Sequence, residues 1–215
     1  MVNLILLFIA ILIFVFTTSL SLILFKKQKN EVYNIKNYFP HELNRLDSFK
    51  YMSLLILLVS IILLIISGDM FLLNPTNHVN YFLSNVIGFI FIILELLFFT
   101  LFYFKFENGF KIHIILSSFF ASLVLAINIF GILFILRSDN FSYLFLIPFI
   151  LLVIGELILL VITFINGFET SEKILVDNIE TNKRKSFIPL ALLEWGSIII
   201  NFLCLLVFIL ILIWK

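Results

Sequence analysis

The sequence predicts an all-α integral membrane protein, a bundle of six transmembrane helices joined by short loops. Hydrophobic residues make up 63% of the 215 residues and charged residues only 13%, and the mean hydropathy is +1.22. A soluble protein of this length could not bury so much apolar surface, so the surrounding solvent is expected to be lipid. The apolar residues also fall into six long stretches, each close to the roughly 20 residues that cross a hydrocarbon core of about 30 Å.

The six stretches form one predicted transmembrane domain that covers residues 1–215. The spans are predicted at 2–25, 51–72, 80–104, 112–136, 141–166 and 187–213. The first is too long and too uniformly apolar for a cleaved signal peptide, and it lacks a basic leading segment, so we interpret it as an uncleaved anchor. Aromatic residues that favour the headgroup level fall at predicted span ends, namely Tyr51, Tyr81, Tyr103, Tyr143 and Trp214.

The distribution of basic residues predicts the orientation of the bundle. The loops 26–50, 105–111 and 167–186 hold 12 of the 14 Lys and Arg residues, and only Arg137 and Lys215 lie elsewhere. Because basic loops are retained in the cytoplasm, these three loops are expected there and both termini outside.

Composition and the basic triplet predict the location and the partners. Abundant Phe, Ile, Leu, Asn and Lys are typical of an AT-rich genome, which favours a bacterial plasma membrane, with an organellar inner membrane as the alternative. The lipid bilayer is the expected partner, and other membrane subunits are a further candidate. We interpret Lys183, Arg184 and Lys185 as an orientation signal that attracts anionic lipid, in preference to a docking patch. A net charge of +1 gives no indication of a nucleic-acid partner.

Two of the basic loops are predicted to contain short helices. Pro40 suits the first position of a helix, and Leu43, Leu46 and Phe49 then recur every three residues, as on a helix lying along the membrane surface. In the third basic loop, Ser171 is a candidate cap for a helix that carries Ile174, Leu175 and Ile179 on one face.

Three glutamates inside the predicted spans are the main candidates for a functional site. Glu95 lies in the third span, Glu156 in the fifth and Glu194 in the sixth. A charge at mid-bilayer costs at least about 2.5–3.5 kcal/mol, so ionisable residues there need a reason. Glu95 and Glu156 are each about 15 residues from the outer end of an inward-running span, which predicts nearly equal depth.

Helical spacing groups further polar residues with these glutamates. Polar or small residues share one face within each of the last five spans: Ser53, Ser60 and Ser67; Ser84, Gly88 and Glu95; Ser117, Ala121, Asn128 and Gly131; Glu156, Thr163 and Gly167; and Glu194, Ser197, Asn201 and Cys204. We expect these faces to meet in a common interior where Glu95, Glu156 and Asn201 approach one another. Asn128 should line that interior nearer the outer side, and the first span should be the most peripheral helix.

No Lys or Arg lies inside a span to neutralise the glutamates. They are therefore expected to be protonated, hydrogen-bonded to Asn or Ser, hydrated, or bound to a cation. One interpretation is that they tie helices together or face partner subunits. The other is that they relay protons or bind a cation or solute.

Signatures of enzymes and cofactors are missing from the sequence. His41 and His78 lie in loops and His113 at the cytoplasmic start of the fourth span, so no pair has metal-ligand or haem-ligand spacing, and each is interpreted as structural. No nucleophile elbow or phosphate-binding glycine loop occurs. The lone cysteine, Cys204, excludes an internal disulfide. We therefore predict no enzyme, no cofactor and no metal.

These observations lead to two functional hypotheses. The first is a small membrane transporter or transporter subunit that binds a solute or cation through Glu95, Glu156 and Glu194, with Asn128 and Asn201 as further binding residues. The alternative is a non-catalytic accessory or assembly subunit of a larger membrane complex.

Overall fold

The computed structural model describes residues 2–29, 32–45, 49–69, 78–103, 110–137, 143–176 and 179–214, which form six long helices and one β-hairpin. In chain order these are α1 (Val2–Lys29), a 3₁₀ helix (Pro40–Arg45), α2 (Phe49–Asp69), α3 (His78–Tyr103), α4 (Phe110–Leu136), a 3₁₀ turn (Tyr143–Phe145), α5 (Leu146–Asn166), β1 (Ser171–Val176), β2 (Ile179–Arg184) and α6 (Pro189–Trp214). The helices begin and end within a few residues of the predicted spans. Long apolar runs specify helices because lipid offers the backbone no other hydrogen-bond partner.

Five of the helices, α1, α3, α4, α5 and α6, are long and apolar enough to cross a membrane. In α2 the corresponding apolar segment, Ser53–Asp69, is shorter. Large apolar side chains cover the outside of the bundle, which indicates a lipid bilayer environment. Tyr81, Tyr143 and Trp214 are exposed near helix ends, as expected of headgroup-level aromatics, whereas the side chains of Tyr51 and Tyr103 lie outside the described part of the structure.

Each helix packs against the next helix in the chain, and α6 also packs against α4 and α1. The prediction that the first span is the most peripheral helix is wrong: α5 buries 17% of its membrane segment and α1 28%. The reason is that α1 inserts Phe14 between α3 and α6, with ring centroids 5.8 Å from Phe98 and 5.2 Å from Phe202. By contrast, α5 buries only a narrow stripe of residues seven apart, Phe149, Glu156 and Thr163.

The third basic loop forms an antiparallel β-hairpin, so the helix predicted after Ser171 is wrong. Pairing runs from Ser171 opposite Arg184 to Val176 opposite Ile179. The segment is rich in β-branched residues, which suit strands, and strand pairing satisfies its backbone groups without a long apolar face.

The first basic loop begins a short helix at Pro40, as predicted, but the helix is 3₁₀ and ends at Arg45. Phe39 and Leu43 are each only 4% exposed because the loop packs onto the end of the bundle. Leu46 lies outside the described residues, and Phe49 is the first residue of α2.

Candidate functional site

The candidate site is built on one face of α6. Glu194, Ser197 and Asn201 recur at spacings of three and four residues, which places them on one side of the helix. Each is at most 1% exposed. At a rise of 1.5 Å per residue they extend about 10 Å along the axis, from the first turns of α6 to its middle. Each side chain binds a partner on a different neighbouring helix.

The contact nearest the middle of the bundle joins α6 to α3. The Asn201 amide donates a hydrogen bond from Nδ2 to Oε1 of Glu95, over 2.9 Å. The other oxygens of the pair, Glu95 Oε2 and Asn201 Oδ1, are buried and have no hydrogen-bond partner among the described residues. Glu95 is fully buried, so its carboxyl group meets a neutral donor and no solvent.

The middle contact joins α6 to α5. Ser197 donates a hydrogen bond to Oε1 of Glu156 over 2.5 Å, and both residues are fully buried. Oε2 of Glu156 lacks a hydrogen-bond partner within the described part of the chain. Two turns further along α5, the Thr163 hydroxyl donates a hydrogen bond to the backbone carbonyl of Leu159 in the same helix, over 2.9 Å. It also lies 3.3 Å from the backbone carbonyl of Pro189 at the start of α6.

The third contact joins α6 to α4 and contains a titratable partner. His113 Nε2 lies 2.7 Å from Oε1 of Glu194, and both side chains are inaccessible to solvent. The Ser117 hydroxyl, one turn along α4 from His113, also hydrogen-bonds Oε1 of Glu194. The same hydroxyl lies 2.7 Å from the backbone carbonyl of His113. Within the described ranges, Glu194 is therefore the only one of the three glutamates bound to a group that can itself carry positive charge.

We call these contacts together the polar column. Its members are Glu95, His113, Ser117, Glu156, Glu194, Ser197 and Asn201. The structure joins predicted residues Glu95 and Asn201 directly, and it places Glu156 one turn along α6 from them, on Ser197. It does not join Asn128 to the glutamates. The Asn128 amide donates to the carbonyl of Val124 in its own helix over 2.7 Å, although the side chain is fully buried.

Sequence analysis missed His113 as a binding partner of Glu194. The available signal was depth, since His113 lies near the start of α4 and Glu194 near the start of α6, two helices that run in the same direction. Depth alone does not reveal which helices are neighbours. The contact between α4 and α6 is what brings the two residues together.

One end of the polar column is covered by residues 33–42, which we call the loop cap. Phe39 packs edge-on against His113, with ring centroids 4.9 Å apart. The Trp195 indole, next to Glu194 in the chain, donates to the carbonyl of Tyr38 at 3.0 Å. The backbone N–H of Ile188 donates to the carbonyl of Lys36 at 2.7 Å. The loop cap is thus held against α6 by both side-chain and backbone contacts.

Arg184, the last residue of β2, fastens the loop cap from the other side. Its guanidinium donates to both carboxylate oxygens of Glu42, at 2.8 and 2.6 Å, and to the carbonyl of Asn37. It also lies 4.3 Å from the centroid of the Tyr38 ring. Glu42 is 5% exposed and accepts a further bond from the backbone N–H of Phe39 at 2.8 Å. This bidentate, partly buried geometry is the strong form of an ion pair.

Two other groups outside the predicted spans have perturbed acidity. Burial raises the pKa of Tyr33 well above its usual value, and the nearby carboxylates of Glu42 and Glu194 raise it further. Tyr33 therefore keeps its proton and donates it to the loop-cap carbonyls. At the surface, the hydrogen bond and charge of Lys185 lower the pKa of Glu169. Arg184 and Lys185 thus both bind acidic residues of this chain.

The opposite end of the bundle, which we call the far half, is filled by aromatic rings. Phe208 on α6 lies 5.4 Å from Phe91 and 4.9 Å from Phe149, and all three side chains are fully buried. Phe149 occupies the space beside Gly131, where a Cβ atom would lie 2.6 Å from its ring. The polar column does not extend into this cluster.

The chemistry available to the polar column is that of carboxyl, imidazole, amide and hydroxyl groups. In the ranges that the structure describes, no group of three or more His, Cys, Asp or Glu side chains is arranged to hold a metal ion. The column can hold protons or accept hydrogen bonds from a small donor. Comparisons with family models, with curated proteins and with solved structures find no match.

Proposed function

We propose that this chain is a small membrane transport protein or a transporter subunit that binds a small solute or cation at the polar column. Glu95 and Glu156 are the principal binding groups. Glu194 and Asn201 contribute further oxygens, and Asn128 extends the polar lining toward the far half. One observation carries the proposal. Glu95 of α3 and Glu156 of α5 bind the face of α6 that also carries Glu194. Each of the three buried carboxyl groups has an oxygen that has no partner among the described residues.

Unpartnered acceptor oxygens favour ligand binding over a purely structural role. Leaving a buried acceptor unsatisfied costs about 1–3 kcal/mol, and more for a charged group. A pair that serves only to tie helices could avoid that loss with two amides or two hydroxyls. A cation, a proton or a solute with N–H or O–H groups supplies what Glu95 Oε2, Glu156 Oε2 and Glu194 Oε2 lack.

The proposed threading has six spans, both termini outside and the loop cap in the cytoplasm of a bacterial cell. At 1.5 Å per residue, the 21 residues of α2 (Phe49–Asp69) extend about 31 Å, which suffices for a sixth crossing. The loop cap and the hairpin then lie on the basic side. Anionic lipid is proposed to lie near Lys183, Arg184 and Lys185, of which Arg184 and Lys185 also bind acidic residues of the chain.

The proposal is tested by flux into proteoliposomes that contain the purified protein. The panel comprises protons, Na⁺, K⁺ and small organic cations. We expect Glu95→Gln and Glu156→Gln each to reduce flux at least about tenfold, the factor that follows from losing about 1.4 kcal/mol of charge-assisted binding. Thr100→Val is the matched control on α3, because the Thr100 hydroxyl binds the carbonyl of Leu96 in its own helix.

The competing function is an accessory subunit that stabilises a larger membrane complex. It is favoured by the surface of α5 and α6, where an apolar groove of about 800 Å³ opens between the helices, lined by residues such as Pro148, Leu151, Leu206 and Leu210. If no member of the panel gives protein-dependent flux, and both glutamine variants change only stability or complex assembly, the transport proposal is wrong and this second function stands. A neighbouring ATPase or transporter gene would favour transport, and a respiratory or secretion cluster the accessory role.

A further inference from the structure

We propose that His113, Ser117 and Glu194 form a proton-binding site at the loop-cap end of the polar column. The inference rests on the proposed function and deepens it, because it names the proton as the ion that is bound at this end. Neither the composition nor the spacing of the sequence assigned His113 a role.

Three contacts meet at this site, and each needs one hydrogen. They join the Ser117 hydroxyl to the His113 carbonyl, the same hydroxyl to Glu194 Oε1, and His113 Nε2 to Glu194 Oε1. A serine hydroxyl has a single hydrogen, and a backbone carbonyl can only accept. With an ionised Glu194 and a neutral imidazole, only two hydrogens serve the three contacts.

One additional proton on Glu194 completes the set. The carboxylic acid then donates to the Ser117 oxygen, Ser117 donates to the His113 carbonyl, and the N–H at His113 Nε2 donates to Glu194. On deprotonation, the Ser117 hydroxyl turns from the His113 carbonyl toward the Glu194 carboxylate. The site thus has two states that differ by one proton and by the direction of one hydroxyl, with no movement of a helix.

The pair formed by His113 and Glu194 lies among other titratable and charged groups. Other titratable or charged groups around it, within the described ranges, are Tyr33 and Glu42 from the loop cap, Arg184 from β2, and Glu156 and Glu95 one and two turns along the column. Tyr33 keeps its proton, and Arg184 compensates Glu42 through two hydrogen bonds. Glu156, which Ser197 binds one turn along α6, is the nearest of the other two column glutamates.

The experiment is an infrared pH titration of the carboxyl carbonyl band in protein reconstituted into lipid. We expect a band that gains intensity on acidification, changes frequency in Glu194→Asp and is lost in Glu194→Gln. His113→Gln keeps a hydrogen-bonding side chain but removes the imidazole, so the pH dependence of the band should differ from that of the wild-type protein. Ser122→Ala is the control, because Ser122 is exposed on α4 and bonds the carbonyl of Ser118.

The proposal is overturned if the wild-type protein shows no pH-dependent carboxyl band, or if that band is unchanged in Glu194→Gln and His113→Gln. Should either variant fail to fold, ring-nitrogen NMR of His113 in a His41→Gln, His78→Gln background tests the same pair with its residues intact. A His113 resonance that is insensitive to pH and to Glu194→Asp would then overturn the proposal. If the carboxyl band titrates but no flux is found, the proton site is supported and transport is refuted. If flux is found but the band does not titrate, transport is supported and the proton site is refuted.

Discussion

The two halves of the bundle differ in their buried side chains, with the polar column toward the loop cap and a cluster of aromatic rings in the far half. Toward the loop cap, α6 presents Glu194, Ser197 and Asn201, and each binds a polar side chain from another helix. In the far half, the same helix presents Phe208, which packs against two other buried rings. In the first half, three buried carboxyl groups each have an oxygen without a described partner, whereas the second half is filled mainly by aromatic rings, with Ser84 Oγ and Asn128 Oδ1 as its buried polar atoms without a described partner. The difference teaches that the carboxyl groups of the proposed binding site lie in the half that the loop cap covers.

The far half should be the more sensitive to loss of volume. Phe208→Ala removes a fully buried ring that touches Phe91 and Phe149, and we expect it to lower the free energy of unfolding by about 3–5 kcal/mol. Phe82→Ala, at a ring that is 66% exposed on α3, is the control and should have a far smaller effect. Thermal unfolding in detergent measures both variants. Equal effects of Phe208→Ala and Phe82→Ala would show that the aromatic rings of the far half are not closely packed.

The loop cap should depend on charge instead of volume. Arg184→Gln leaves the buried Glu42 carboxylate with one described bond, from the backbone of Phe39, and we expect a loss of about 1.5–3 kcal/mol. Lys185→Gln is the adjacent control, because its partner Glu169 is exposed and such pairs contribute little. Unfolding is measured for both, with proteolysis of residues 33–42 as a local readout. A loop cap that stays protected in Arg184→Gln would show that its apolar contacts suffice.

A smaller effect is expected where the far half leaves no room for one methyl group. In Gly131→Ala the new Cβ would lie 2.6 Å from the Phe149 ring, and overpacking of this kind costs about 1–3 kcal/mol, partly offset by the better helix propensity of alanine. Gly68→Ala is the control, because nothing lies within 4 Å of its added Cβ. We expect the control to be neutral or stabilising. A neutral Gly131→Ala would mean that the ring cluster can shift.

The positions of the helices, and the faces that they bury, could be predicted from the sequence. Apolar length fixes a helix in lipid, and polar residues at intervals of three, four and seven indicate the inward face, as they do for Glu194, Ser197 and Asn201. Which helix binds which could not be predicted. His113 and Glu194 are at matching depth, but their contact requires α4 and α6 to pack against each other, although α5 lies between them in the sequence.

The helix predicted after Ser171 was the clearest error, because the segment forms a β-hairpin. Ile174, Leu175 and Ile179 fit one helix face, but they equally fit two six-residue strands around Asp177-Asn178, a pair that favours turns. Local pattern did not decide between them. Strand pairing then brings Arg184 back to the loop cap, where it binds Glu42. The two residues are 142 positions apart in the chain, so no local pattern reveals their contact.

Because α6 binds the glutamates of both α3 and α5, the order of synthesis has a consequence for assembly. Glu95 and Glu156 leave the ribosome before Asn201 and Ser197, the side chains that bind them. Until α6 inserts, two acidic residues lie in nascent helices without those hydrogen bonds. A chain stopped at the hairpin would lack both hydrogen bonds. We therefore expect residues 1–176 alone to be unstable, and co-expression with residues 177–215 to restore the folded protein.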